Sequence, residues 1–511
     1  MAAARVMGKR FASVVSALGI AAAWAAPATA HHEMPGEVSG ATSSAAAAAN
    51  ALAGPLPDLY PANDEFSPNM SLIGNFDDSG TYRQGADEAF KGHHAILSSY
   101  DNPGGFRIVD IKDPQRPFEV GQFSCPGPQN DVSVWGSLVF VSVDSPRAND
   151  QCGAAGDNAG AVAGTAWEGI RIVDISTPQT PTQIKTVSTD CGSHTHTLVP
   201  DRANNRVLIY VLSYPLTPQG ANCNPVTHRK FSIVEVPLAN PTAASVIATP
   251  DVSPAIGCHD VTVYPKKGLA AAACLTESQI WDISNPAQPK ILSHITNPQI
   301  NIHHSSTFSW DGKTVVFGDE LAGAEATPGC PEGADKHLPL GAMWFYDVSD
   351  PAKPVQKGSY KIPQGEQDSL LCTAHNFNTV PTRTERDVLV SGWYNGGTTV
   401  VDFTNPADAE QLGFYIAHGG TQNSGSAARP DTTIRSTSWS SYFYNGLIYS
   451  NSFDEDLNSL TLQSRGLDIL RIKGGFFKRA PKSKQLNAQT MLPPKKAKKK
   501  KKKRKKSKRR R

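Results

Sequence analysis

The chain has 511 residues, of which 39% are hydrophobic and 19% charged, with 42 Gly and 38 Pro. This composition is too apolar for a disordered protein and too rich in turn-forming residues for a helical bundle, so it favours a β-rich globular body. The net charge of +3 hides an asymmetry: 15 basic residues lie in 495–511, and the rest of the chain carries 34 basic against 46 acidic residues. No apolar run reaches the ~20 residues that a membrane-spanning helix needs, so we expect a soluble or peripheral protein.

The N-terminus has the pattern of an export signal. Arg5, Lys9 and Arg10 precede an apolar stretch over 11–26, and Ala28-Thr29-Ala30 provides a small-x-small cleavage site. We therefore predict a signal peptide over 1–30, followed by a flexible linker over 31–66 that is rich in Ala, Ser and Gly. Export predicts an extracellular, periplasmic or cell-surface location.

Export also decides how the eight cysteines are interpreted. An oxidising compartment favours disulfides, and an even number allows every cysteine to pair. Cys258 and Cys274 lie symmetrically about the predicted hairpin turn at 264–268, so they could face each other across two strands. We predict pairing in sequence order, which the sequence alone does not prove.

A short motif recurs along the chain: a β-branched strand that ends in Asp and runs into a Pro-containing turn. A further short strand follows most copies, often with a central Gly, and two β-like runs precede them. This pattern predicts seven units of four strands. The core strands are 106–111, 170–175, 279–283, 343–348 and 399–403, with weaker copies at 231–236 and 467–472.

The two ends of the repeat array fit together. The seventh core strand has no outer strand after it, whereas Ser71–Phe76 matches the outer-strand pattern and stands alone before the first unit. We therefore predict an all-β fold: a seven-bladed β-propeller over 67–475, closed by an N-terminal strand in the last blade. Six or eight blades are the alternatives. The Ile-Val-Asp-Ile-x-x-Pro repeats resemble those of LVIVD repeat proteins, and this resemblance implies a secreted or surface propeller without implying an activity.

Histidines recur at the predicted start of the first strand in five of the units. The innermost strands of a propeller run in one direction, so equal positions lie at equal height around the axis and these imidazoles should converge. Neutral imidazoles suit Cu, Fe or Zn. The predicted ligands are His93, His194, His259, His303 and His375, and the residues predicted to orient them are Asp131, Asp260 and His304.

Two other interpretations of the histidine ring stay open. It could be a structural ring of hydrogen bonds, or a pH-sensitive or anion-binding ring. The leading functional prediction is a surface-associated binding module that holds a transition metal or ligand and meets an unidentified ligand or protein at one propeller face. The alternatives are a metal-dependent oxidoreductase with the ring as active centre and a structural interaction scaffold; we expect a monomer.

The C-terminal region over 476–511 is predicted to be a disordered polybasic tail that binds polyanions by counterion release. On an exported protein the available partners are anionic envelope polymers or lipids. Specific nucleic-acid recognition is not expected, because no aromatic residues lie among the basic ones, and a merely solubilising tail is the other alternative. The predicted polyanion-binding residues are Lys498, Lys499, Lys500, Lys501, Lys502, Lys503, Arg504, Lys505 and Lys506.

Overall fold

A computed structural model of the chain describes residues 64–76, 85–100, 104–153, 166–214, 228–320, 341–364, 372–382, 386–418, 435–452 and 465–493. The predicted signal peptide and the polybasic run 495–511 lie outside these residues. None of the helices in the described part of the chain has the length and apolar character needed to cross a membrane.

Almost all of the regular structure is β. The described residues contain one short α-helix, Gly475–Lys478, and two 3₁₀ turns, Arg202–Asn204 and Pro241–Ala243. The strands of the described part, in chain order, are β1 (Glu65–Phe66), β2 (Met70–Phe76), β3 (Gly85–Lys91), β4 (His94–Ser99), β5 (Gly105–Asp110), β6 (Phe118–Ser124), β7 (Gln129–Trp135), β8 (Leu138–Arg147), β9 (Trp167–Asp174), β10 (Thr182–Ser188), β11 (Thr195–Asp201), β12 (Arg206–Leu212), β13 (Ser232–Pro237), β14 (Ser245–Ala248), β15 (Asp260–Tyr264), β16 (Leu269–Cys274), β17 (Glu277–Asp282), β18 (Lys290–Ile295), β19 (His303–Phe308), β20 (Thr314–Asp319), β21 (Met343–Asp347), β22 (Val355–Tyr360), β23 (Phe377–Thr379), β24 (Val388–Gly392), β25 (Thr398–Asp402), β26 (Glu410–Ile416), β27 (Ser438–Tyr444), β28 (Leu447–Ser452), β29 (Leu467–Ile472) and β30 (Gln485–Leu486).

These strands form seven antiparallel sheets, each built on four strands. Blade 1 is β3–β6, blades 2 to 5 take the next four strands each, blade 6 is β23–β26, and blade 7 is β27–β29 with β2 as its outer strand. Seven buried apolar clusters lie between consecutive blades, and one of them joins blade 7 to blade 1 through Tyr442 and Phe90. The sheets therefore form a closed ring, and the predicted seven-bladed β-propeller is confirmed.

The recurring motif forms the third strand of every blade. In five blades the motif carries an Asp that ends the strand, and its carboxylate accepts a hydrogen bond from the backbone N–H two residues later, as Asp174 does from Ser176 at 2.8 Å and Asp347 does from Ser349 at 2.9 Å. Blades 3 and 7 have Glu235 and Arg471 at this position. Such Asx turns hold the bend that leads into the Pro-containing connection. The Asp of the repeat is thus explained by turn geometry rather than by catalysis.

The glycine of the outer strand has a packing role. At Gly121 in blade 1 a Cβ atom would lie 2.3 Å from the carbonyl oxygen of Pro178, which belongs to the turn of blade 2. At Gly358 in blade 5 it would lie 2.1 Å from the carbonyl oxygen of Pro406 in the turn of blade 6. The repeat therefore pairs a small residue in one blade with the turn of the next blade.

Both ends of the described chain join the ring. Strand β2 pairs with β29 from Met70 opposite Ile472 to Phe76 opposite Leu467, and β1 pairs with β26. At the other end β30 pairs with β3, on the inner side of blade 1. The described residues that join the ring thus begin at residue 64 and continue past the predicted end of the propeller at 475, with β30 at Gln485–Leu486.

The segment 485–491, which we call the C-terminal strap, crosses the far ends of several inner strands. The side-chain amide of Asn487 pairs with both backbone groups of Val134 in β7, at 2.8 and 3.0 Å. Farther along, the Thr490 hydroxyl donates to Leu198 O at 2.6 Å, and Val263 N donates to Gln489 O at 2.8 Å. The strap therefore connects blades 1 to 4 on this side of the channel.

Two disulfides lie within the described residues, Cys125–Cys152 and Cys258–Cys274. Both agree with pairing in sequence order, and the second joins the start of β15 to the end of β16 as predicted. Cys191 and Cys372 are also disulfide-bonded. Disulfides are typical of proteins in oxidising compartments.

Candidate metal centre

The starts of the innermost strands meet at the propeller axis. The Thr195 hydroxyl donates to His259 O, and two residues later the Thr197 hydroxyl donates to Val261 O at 2.5 Å, so β11 and β15 run in the same direction. Equal offsets in neighbouring blades therefore lie at equal height. A narrow cavity at this height is lined by residues from blades 1, 2, 3, 4, 6 and 7, together with Gln489 of the strap.

Four histidines from blades 3, 4, 5 and 6 lie side by side at this level: His194, His259, His304 and His375, which we call the imidazole cluster. The Nε2 atoms of His194 and His259 are 2.9 Å apart. The ring centres of His259 and His304 are separated by 3.7 Å, and those of His304 and His375 by 4.5 Å. The four rings form a continuous arc around the axis, and all are buried.

Glu320, which follows β20, adds a carboxylate to the arc. Its Oε2 lies 3.5 Å from His304 Nε2, and its Oε1 lies 3.7 Å from His375 Nε2. The hydroxyl of Tyr394 donates to Oε1 at 2.7 Å and so holds the carboxylate in place. His259, His304 and Glu320 offer three ligand atoms that lie within 4.8 Å of one another, close enough to hold one metal ion.

Two of the imidazoles are oriented by partners outside the cluster. His194 Nδ1 lies 2.7 Å from Asp144 Oδ2, and His375 Nδ1–H donates to the carbonyl oxygen of Trp439 at 2.6 Å. Each contact leaves Nε2 directed toward the neighbouring cluster members. Carboxylate and carbonyl partners of this kind commonly fix the tautomer of metal-binding histidines.

Burial keeps three members of the cluster, His259, His304 and His375, uncharged. It lowers the pKa of His375 to about 3, with smaller contributions from neighbouring imidazoles. Burial, followed by repulsion from the adjacent rings, also lowers the pKa of His259 and His304 well below the usual value of 6.5. These imidazoles are therefore neutral near pH 7, the form that can donate an electron pair to a metal.

The cluster differs from the predicted ring at two positions. His93 lies in the turn after β3, at the opposite end of blade 1; its side chain is 54% exposed and its Nε2 is 3.4 Å from Asp110 Oδ2. The inner strand of blade 1 is Gly85–Lys91 and not the strand that begins at His94, so the alignment of this unit was displaced by one strand. His303 faces β17, where its Nδ1 lies 2.7 Å from the Ser278 hydroxyl.

His304 takes the axial position expected for His303. The register of β19 against β20 shifts between His303 and Ser305, and a bulge of this kind changes which side chain faces the centre. His304 was expected only to orient a ligand. Burial lowers the pKa of His303 to about 4 in its position between the strands.

The two aspartates that were expected to orient the ligands lie beside the cluster. Asp131 accepts a hydrogen bond from the backbone N–H of His196 at 2.6 Å and lies 3.1 Å from its Nδ1, so its direct partner is not a cluster member. Asp260 Oδ1 lies 3.8 Å from His259 Nδ1. Burial, followed by repulsion from Asp131, raises the pKa of Asp260 to about 7.

Several residues of the site were not found from the sequence. Glu320, Asp144 and Tyr394 follow or end second strands at positions that the repeat does not mark. Only His196 among the missed residues could have been found from the sequence. It lies in β11, two residues after His194, and alternate residues of a strand share a face.

Two further groups of side chains in the described part could hold a metal. His93, His94 and Asp110 form one group at the outer turn of blade 1, and Asp190, Cys191 and His228 form the other. The sulfur of Cys191 is in a disulfide and therefore cannot act as a thiolate ligand. The group at the axis, His259, His304 and Glu320, is the most buried of the three.

Comparison with known proteins identifies the repeat. The LVIVD repeat family matches residues 163–189 and 346–362, which contain the third strand of blade 2 and the turn and outer strand of blade 5. No curated protein matches the chain.

Several solved structures match the chain at low sequence identity and low TM-score. Hydrazine synthase from Kuenenia stuttgartiensis is 12% identical with a TM-score of 0.44, covering 64% of this chain and 78% of that one. The WD40 β-propeller domain of Doa1 is 11% identical with a TM-score of 0.45, covering 78% and 96%. A functionally unknown protein from Desulfotomaculum acetoxidans is 12% identical with a TM-score of 0.39, covering 64% and 85%.

Proposed function

We propose that this LVIVD-repeat propeller binds one transition-metal ion at its axis, through the imidazole cluster and Glu320. The observation that carries the proposal is the state of His304. Its ring is fully buried between two other imidazoles, and neither of its nitrogens has a hydrogen-bond partner within the described residues. A buried polar group without a partner costs about 1–3 kcal/mol, and a metal–nitrogen bond would remove that cost.

The donor set supports a borderline metal. Imidazole nitrogens with one carboxylate suit Fe, Cu and Zn and are poor ligands for Mg or Ca. His194 Nε2 and His259 Nε2 lie 2.9 Å apart, within hydrogen-bond distance, and a bound ion would replace that contact with metal–nitrogen bonds. We therefore expect Fe, Cu or Zn at the site.

The surrounding residues have separate roles in this proposal. Asp144 holds the His194 ring in one tautomer, and Tyr394 positions Glu320. Glu320 would offset part of the charge of a divalent ion inside the protein. The metal supplies Lewis acidity or a redox couple to a ligand that reaches it.

Elemental analysis of the full chain, prepared with Fe, Cu and Zn each available, tests the proposal. We expect about one ion per chain in the unsubstituted protein and a 10-fold or greater loss of affinity in His304→Gln. His294→Gln is the matched control, because the side chain of this histidine in outer strand β18 is 44% exposed and pairs with Glu277, away from the axis; the metal content of this variant should not change. A folded protein with no bound metal, or equal metal in His304→Gln, would remove the proposal.

A metal-dependent oxidoreductase is the second candidate function. It is favoured by the narrow cavity, which is lined by His259 and His375 and therefore reaches two of the proposed ligands. Because the free space there is about that of one water molecule, only a molecule as small as dioxygen could approach the ion. Oxygen uptake with ascorbate as reductant tests it: uptake that depends on the metal and is absent in His304→Gln supports an enzyme, and metal binding without uptake supports a binding module.

We also propose that the protein is exported and held at the cell surface by its basic tail. The disulfides support an oxidising compartment. The tail, with 15 basic residues in 495–511, would bind anionic envelope polymers or lipids. Deletion of 495–511 should release the protein from envelope fractions, and high salt should release the full chain; retention of the shortened chain would contradict the tether.

A further inference from the structure

The axial cavity is lined by several oxygen-bearing side chains besides the imidazoles. Asp87 and Gln129, from blades 1 and 2, line it together with Asp131, Asp260 of blade 4 and Asn376 of blade 6. None of the residues that line this cavity in the described part of the chain is Lys or Arg. Its carboxylates therefore have no cationic side chain of the protein among them.

Three oxygens of these side chains lack the partners that buried oxygens normally have. Gln129 Oε1 and Asn376 Oδ1 accept no hydrogen bond from any described residue, although the side chains are only 4% and 8% exposed. Asp87, which is 3% exposed, receives the Tyr442 hydroxyl on Oδ1 at 2.5 Å, but no N–H or hydroxyl of the described residues donates to its Oδ2. Buried oxygens without donors are rare in folded proteins and indicate a missing ligand.

The charges point to a cation as that ligand. Asp131 is held as a carboxylate by the backbone N–H and imidazole of His196. Asp87 lines the same cavity, and its carboxyl group contacts that of Asp131. Two neighbouring carboxyl groups need either a shared proton or a cation between them.

The backbone supports a built site. Gln129 and Asn130 have positive φ angles of 72° and 47°, a conformation that residues other than glycine seldom adopt. This strained pair starts β7 and places Gln129 at the cavity, and strain of this kind is concentrated at ligand sites. The free space at the centre is about that of one water molecule, which excludes organic ligands and leaves room for an ion.

We propose that the axial channel holds a second, hard divalent cation, Ca²⁺, among the carboxylate and amide oxygens of Asp87, Gln129, Asp131, Asp260 and Asn376, with water molecules bridging the ion to those oxygens that it does not reach directly. Carboxylate and amide oxygens are the ligands that Ca²⁺ prefers, and Ca²⁺ accepts six to eight of them in irregular arrangements, with water completing the shell. The site goes beyond the transition-metal function because its donors are oxygens and not imidazole nitrogens. The ion would balance the buried carboxylates and join blades 1, 2, 4 and 6 at the axis.

The test uses the full chain after treatment with EDTA. Tb³⁺ replaces Ca²⁺ at oxygen sites, and Trp439 lines the same cavity, so excitation of tryptophan should give sensitised terbium emission that Ca²⁺ displaces. Ca²⁺ should also raise the thermal midpoint, because it binds the folded state alone. Asp87→Asn should bind Ca²⁺ at least 10-fold more weakly and lose the rise in midpoint, while keeping the transition-metal content of the unsubstituted protein.

Asp113→Asn is the matched control, because Asp113 lies in an exposed turn of blade 1 and should leave the Ca²⁺ response intact. Circular dichroism shows whether Asp87→Asn folds; if it does not, Gln129→Ala, which removes one neutral oxygen, replaces it with the same expectation. Absence of a Ca²⁺-dependent rise and of displaceable emission in the unsubstituted protein would overturn the site. An undiminished Ca²⁺ response in folded Asp87→Asn would overturn it equally.

Discussion

Gly358 allows the contact between neighbouring blades to be tested with one methyl group. In Gly358→Ala the new Cβ would lie 2.1 Å from the carbonyl oxygen of Pro406, whereas ordinary contact begins near 3.4 Å. Either the turn of blade 6 or strand β22 must therefore move by about 1 Å. Overpacking of this size costs about 1–3 kcal/mol. With an unfolding entropy of ~2.1 cal/mol/K per residue over roughly 400 residues, the thermal midpoint should fall by about 1–4 °C.

Thermal unfolding followed by circular dichroism measures this effect, and two controls isolate its cause. Gly136→Ala places the methyl group where no atom lies within 4 Å, so it measures only the cost of alanine at a positive φ, about 1 kcal/mol. Ser293 occupies the corresponding position in blade 4 and donates to Pro351 O at 2.8 Å, so Ser293→Ala should fit without a steric cost. If Gly358→Ala is as stable as the unsubstituted protein, or if Ser293→Ala is destabilised more, steric contact is not the reason for the glycine.

Three further predictions concern the C-terminal strap, the ion pairs of Arg465 beside blade 7, and the stability of the protein in acid. Asn487→Ala should destabilise the fold by about 2–3 kcal/mol in urea unfolding, because it leaves both buried backbone groups of Val134 unpaired. A change below about 0.5 kcal/mol, the usual size at a surface site, would contradict the role of the strap. Arg465→Ala should lower the free energy of unfolding by about 3–5 kcal/mol, because the guanidinium pairs with the buried carboxylates of Asp64 and Asp468 at 3.0 and 2.9 Å. An unchanged urea midpoint would refute this prediction. In metal-free protein the folded-state pKa of His303 is about 4 against ~6.5 when unfolded, so the unfolded state binds the proton more tightly and stability falls as pH drops from about 6.5 toward 4. His303→Gln should flatten that loss by up to about 3 kcal/mol, measured as urea unfolding at pH 7 and pH 4.5, and an equal slope in both proteins would refute the assignment.

The blade pattern could be predicted from the sequence because turn chemistry repeats more faithfully than strand composition. The turn after the third strand requires an Asp and a Pro, and the close contact of the fourth strand with the next blade requires a Gly. These residues therefore recur and mark the third and fourth strands in the sequence. The inner strand of blade 1, Gly85–Lys91, has no such marker: it contains Gly, Asp, Glu and Lys and resembles a loop. The alignment therefore moved to the next strand, and His93 was assigned to the axis.

The candidate site was predicted only in part. One strand is shifted in register, and some residues of the site lie at positions that do not repeat from blade to blade. His194, His259 and His375 directly precede regular strands, so their repeat offset was informative. The bulge in β19 exchanges His303 for His304, and no sequence pattern announces a single extra residue of this kind. Glu320 comes from the end of a second strand in one blade alone, so a search for repeated positions could not find it. Metal binding itself stays a prediction.

The joining of both chain ends to the ring has a consequence for how the molecule folds. Met70 pairs with Ile472, and Phe90 pairs with Leu486, so contacts between almost opposite ends of the polypeptide complete two of the seven sheets. Pairings this distant in sequence give a high contact order, which slows folding. Linear repeat arrays can lose terminal units one at a time, whereas this ring has no terminal unit to lose. We therefore expect slow, cooperative folding that cannot finish until β29 and β30 have left the ribosome.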